Sequence, residues 1–149
     1  MTTENSASAG TGAARSGLVR DPARLRSRLL AWLGGAVAAL VVWVIAAPIA
    51  GADLRATVFG DEQEIVAVAV VISALVQGGL GWAVLALLER FLGRARTIWL
   101  VLAVLVLVFS GVNAATAAVN TETAVWLNVM HLAVAAVLVP VLARTSPRR

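Results

Sequence analysis

Four long apolar runs, separated by short charged segments, dominate the chain. The uncharged windows are Leu29 to Ala52, Ile65 to Leu88, Thr97 to Thr121 and Thr123 to Ala143. Each is long enough for a membrane-crossing helix, which needs about 20 mainly apolar residues. Only helices and closed barrels satisfy backbone polar groups in lipid, and continuous rather than alternating runs predict helices. The pattern therefore predicts an all-α integral membrane protein with spans at about 29–50, 65–88, 98–119 and 123–143. Short connections after the second and third spans predict antiparallel neighbours, hence an up-down-up-down four-helix bundle.

The transmembrane domain is expected over 23–145. Before it, residues 1–22 form a Ser/Thr/Ala/Gly-rich basic tail with too little apolar surface to order itself. Asp21-Pro22 reads as a helix cap followed by proline at a first helical position. Residues 146–149 are a short basic tail. Ala50-Gly51-Ala52 resembles a signal-cleavage site, but the apolar run and the leader before it are both too long for a typical signal.

Composition confirms the class. Of 149 residues 60% are hydrophobic and 13% charged, against about 25% charged in soluble domains, and mean hydropathy is +0.91. All twelve basic residues are Arg. A net charge of +4 would suggest nucleic acid in a soluble protein, but here the distribution matters more. Eleven Arg lie before the first span, between the second and third, and after the fourth. Against Glu4, Asp21 and Glu89 they leave +8 on one side. Arg55 alone stands among Asp53, Asp61, Glu62, Glu64 and Glu122 on the other, leaving −4. The positive-inside rule makes the Arg-rich side cytoplasmic, with both termini inside the plasma membrane and no nucleic-acid partner. The loop from Gly51 to Glu64 is then an outer, solvated connection. Trp32 and Trp99 are expected at the inner interface, Trp126 at the outer one, and Trp43 and Trp82 as deeper packing residues.

The same counts remove much chemistry. Without Cys, Tyr or Lys, and with a single His, there is no thiol redox centre, Schiff base, phosphate loop or His-rich metal site. No Asp, Glu, Lys or Arg lies inside a span, so carboxylate-coupled antiport has no group to run on. No metal, cofactor or catalytic set is expected, and the chain reads as non-enzymatic. What remains at depth is neutral and polar: Ser73 and Gln77 in the second span, Ser110, Asn113 and Asn120 in the third, Asn128 and His131 in the fourth. Spacings of three and four put each set on one helical face. Gln77, Ser110, Asn113, Asn128 and His131 are the candidate intramembrane cluster. It serves either as a small polar pocket or as hydrogen bonds that fix helix register.

The last span, with Met130-His131-Leu132, the small residues after it, and Pro140 before Arg144, resembles the final helix of a family of small uncharacterised membrane proteins of actinobacteria. The likeness extends over about residues 27–145 and includes the four-span layout with an Arg-bearing inner loop. It implies four membrane helices and carries no activity. The expected role is that of an accessory protein binding lipid, a membrane-protein partner or a second copy of itself. The alternative is a small transporter or channel for a neutral or weakly polar solute.

Overall fold

The computed structural model describes residues 22–146. Of the tails predicted at 1–22 and 146–149, residues 1–21 and 147–149, with the capping role of Asp21, lie outside the described residues, while Pro22 begins the first helix and Ser146 follows the last. Helix α1 spans Pro22–Val44 and continues into a π-helical turn, Ile45–Ile49; two strands follow, β1 (Arg55–Val58) and β2 (Asp61–Glu64). Helices α2 (Ala67–Phe91), α3 (Ala95–Ala117) and α4 (Thr121–Thr145) complete the chain. All four helices are long and apolar enough to cross a membrane. Large apolar side chains such as Leu30, Ile72, Val104, Phe109 and Leu132 point outward, as they do when lipid is the solvent.

Helix α1 packs on α4 and α2, α3 packs on α4, and α2 meets α3 more sparsely. Close approach comes from small residues. A Cβ on Gly34 or Gly35 would touch Val137 or Val134 of α4 at 3.4 Å, which fixes how near α1 and α4 can lie. The buried core has two parts. Ala36, Ala39, Val70, Ala74 and Met130 pack with Leu54 towards the strands. Ala31, Leu85, Trp99, Leu138 and Leu142 pack towards the opposite end.

The connection between the first two helices departs from the expected solvated loop. β1 and β2 form an antiparallel hairpin in which Val58 pairs with Asp61. The two-residue turn is Phe59-Gly60, both at positive φ (54° and 96°), the geometry that matches the twist of a tight hairpin. Glycine takes that conformation freely, whereas Phe59 adopts it at a cost and projects fully into solvent. Burial alternates: Ala52, Leu54 and Ala56 point inward while Asp53, Arg55 and Thr57 are exposed. Arg55 pairs with Asp53 at 3.0 Å on the exposed side. That hydrogen bond first, and the carboxylate's charge second, raise the Arg55 pKa from its ordinary value.

The hairpin is tied down at both edges of the bundle. Leu54 O accepts from Ile65 N, and Arg55 O from Val119 N. Ala56 also forms a bridge with Ala118. These pairings leave Ile65-Val66 and Ala118-Val119 outside the helices, which trims the predicted ends of the second and third spans. The fully buried Thr123 donates its hydroxyl to Asp53 O (3.2 Å) and accepts from Arg55 N (3.4 Å). Asn120, grouped by spacing with the membrane stripe, instead caps α4: its Oδ1 accepts from Thr123 N at 2.7 Å.

Candidate functional site

Helix α2 has two unlike sides. Towards α1 it is closed. Ala74 and Gly78 are buried there, and a Cβ on Gly78 would lie 2.9 Å from Trp32 Cδ1. The missing side chain lets the Trp32 indole lie against the α2 backbone and donate to Leu75 O at 2.7 Å. Trp82 packs at a tilt on Trp32, their centroids 6.4 Å apart. Trp43 donates to Ile65 O (2.7 Å) and Trp99 of α3 to Gly81 O (3.0 Å). Three indoles thus donate to α2 or the residue leading into it, each meeting the need of a buried N–H for an acceptor. Trp32 and Trp99, expected at the inner membrane interface, both pack within the bundle, and Trp99 is 4% exposed.

Towards α3, α2 is open. Above the Trp99–Gly81 contact, α2 and α3 leave a cleft of about 710 Å3, backed by α4. Its lower walls include Leu80, Val84, Leu102 and Val106, and Met130 and Leu138 contribute to the back. Gln63 and Glu64 of the hairpin stand at its mouth. Four polar side chains open into this apolar space: Ser73 and Gln77 from α2, Ser110 from α3 and His131 from α4. Counting 1.5 Å per residue from the strand-side helix ends, they lie within a band about 9–15 Å deep.

His131 Nδ1 lies 2.7 Å from Leu127 O, one turn earlier in α4. A carbonyl only accepts, so Nδ1 carries the proton, which makes Nε2 an acceptor whenever the ring holds a single proton. The described residues supply no hydrogen bond to His131 Nε2 or to the side chains of Ser73, Gln77 and Ser110.

The five candidates therefore divide. Gln77, Ser110 and His131 share the cleft. Asn128 lies in a separate shallow groove between α3 and α4 that His131 also borders. Its amide donates to Ala124 O (2.9 Å) and Gly111 O (3.4 Å), a register contact that needs Gly111: a Cβ there would lie 2.7 Å from Asn128 Oδ1. Asn113 lines neither space and is exposed on α3. Ser73, noted in the sequence but left out of the cluster, belongs to the cleft, as its four-residue spacing from Gln77 would allow.

The opposite end of the bundle holds the strongest polar contact. Arg28, one of the Arg residues that precede the first span, is 6% exposed. Its guanidinium grips Glu89 of α2 in a fork, at 2.6 and 3.1 Å, and donates to Thr145 of α4 through Oγ1 and O. Arg24 adds a more exposed bond to the same carboxylate at 2.9 Å. This network locks α1, α2 and α4 together and involves no residue of α3. No group of three or more His, Asp or Glu side chains suited to a metal occurs among the described residues.

A family model matches residues 19–148, which is nearly the whole chain. The chain belongs to the family of unknown function DUF6069. The match agrees with the resemblance read from the last span, and it covers all four helices of this DUF6069 protein. No curated protein and no solved structure matches the chain.

Proposed function

We propose that this DUF6069 protein is a non-enzymatic protein of the plasma membrane that takes a lipid-soluble ligand into the cleft between α2 and α3. The observation that carries the reading is the separation of these two helices above Trp99–Gly81, which leaves about 710 Å3 of mostly apolar space. That volume falls within the range of about 300–1,000 Å3 typical of small-molecule sites, which are likewise apolar with a few polar groups. The end bearing Arg28 would face the cytoplasm and the hairpin the exterior, following the distribution of Arg.

Native mass spectrometry of the protein released from membranes tests the ligand. A retained lipid-soluble species, lost in Ala103→Trp where the bulk would fill the cleft, is the expected result. A protein that carries none, or carries the same species in the filled variant, would overturn the reading. Orientation is testable because the chain has no cysteine. Thr57→Cys should react with an impermeant maleimide on intact cells, and Ser27→Cys should not.

A passage for a neutral or weakly polar solute is the second reading. The four polar groups favour it, whereas the packed Trp99 at the foot of the cleft does not. Flux through proteoliposomes that changes in His131→Ala would select it.

A further inference from the structure

We infer that the cleft recognises a neutral lipid bearing a hydroxyl group, which donates to His131 Nε2 and accepts from Gln77 and Ser110. This rests on the reading of the cleft as a lipid site and names the ligand's chemistry.

The argument begins with the histidine. With Nδ1–H committed to Leu127 O, the singly protonated ring of this cleft-lining residue has only an acceptor, Nε2, left to offer. A ligand group must therefore donate to it. The Gln77 amide and the Ser110 hydroxyl, on the facing helices and in the same band of depth, can each donate. A hydroxyl is the smallest group that meets both demands, having one proton to give and two lone pairs to receive. A ketone accepts only and leaves Nε2 unmet. A hydrocarbon leaves every polar group unmet, at a cost each time water is displaced.

Charge narrows the class further. No Arg is among the residues that line the cleft, and the one ionisable group at its mouth is the carboxylate Glu64. A carboxylate or phosphate carried to the polar band would lie in apolar surroundings with no cation beside it, which disfavours it strongly. The walls are apolar both above the band, at Ile65 and Val70, and below it, at Leu80 and Val106. The hydroxyl is thus recognised part-way along a hydrophobic body rather than at a water-facing head.

The test uses the full chain in phosphatidylcholine nanodiscs. Three photoreactive diazirine probes share one long hydrocarbon chain and carry at mid-chain a hydroxyl, a ketone or nothing. Crosslinks are mapped to peptides by mass spectrometry. The hydroxyl probe should label the cleft walls of α2 and α4 at least about fivefold more than the hydrocarbon, the yield of about one hydrogen bond. His131→Ala should reduce it to the ketone's level, and His131→Gln, which keeps an acceptor, should restore part of the difference. Equal labelling of the cleft by all three probes would overturn the hydroxyl inference and leave the lipid site standing. Labelling of the cleft no greater than that of the outward face of α3 would overturn both.

Discussion

The two sides of α2 face neighbours of the same kind, apolar helices, yet one is sealed and the other open. Against α1, the pair Gly78-Gly79 yields its space to Trp32, and the far end is locked by Arg28 on Glu89. Against α3, contact is sparser, built on the Trp99 indole bond to Gly81 and the packing of Leu85 beside it, and the space above is left to Ser73, Gln77, Ser110 and His131. In lipid there is no hydrophobic force to close a gap between helices, so contact must be built from close fit and polar bonds. Where this chain places glycine opposite tryptophan, the gap closes. Where it places polar side chains without mutual partners, the gap remains.

The largest way to break the contrast is at the locked end. Glu89→Ala leaves the Arg28 guanidinium buried without its carboxylate. Stability should fall by about 3–5 kcal/mol, read by denaturant titration in micelles. A loss below about 1 kcal/mol, the range of exposed pairs, would mean that Arg28 escapes to water and the lock is weak. Next is Gly78→Ala, which drives a Cβ into Trp32 and should cost about 1–3 kcal/mol, with altered tryptophan emission. The same substitution on the open side sharpens the comparison, because nothing lies within 4 Å of a Cβ at Gly81. Gly81→Ala should stabilise by up to about 1 kcal/mol through helix propensity alone. If both alanines cost alike, the two sides are not different. The smallest effect is expected at Gln77→Leu, which should alter stability by no more than about 0.6 kcal/mol while lowering retention of the cleft ligand in native mass spectrometry.

Helix positions were legible because lipid imposes a length and an absence of charge that no other environment requires. The hairpin was not, although its signal is present. Ala52, Leu54 and Ala56 alternate with Asp53, Arg55 and Thr57, but three inward residues beside an acidic run are easily taken for a solvated loop. The polar cluster was legible as faces and not as partners. Ser110 and Asn113 are about 60° apart around a helix that turns about 100° per residue. On α3, the least buried of the four helices, that step separates the cleft from the outside. The partners of Arg28 were hidden for another reason. An arginine near a span end marks topology by default, and only the meeting of three helix ends reveals that Glu89 and Thr145 receive it.

The π-helical turn at Ile45–Ile49 governs more than the end of α1. Pro48 has no N–H to give the helix ladder, and Ala50 N reaches back to Ile45 O, so the coil holds one residue more than a regular turn. The strand that follows has a period of two, and one residue more or fewer would invert it. Ala52, Leu54 and Ala56 would then point to water, and Asp53 and Arg55 into the bundle. The turn absorbs that extra residue before the strand begins. Removing one residue between Gly51 and Asp53, where the chain is already extended, should unseat the roof over the cleft mouth, whereas removing one within the turn should restore a regular helix and leave the hairpin's facing intact.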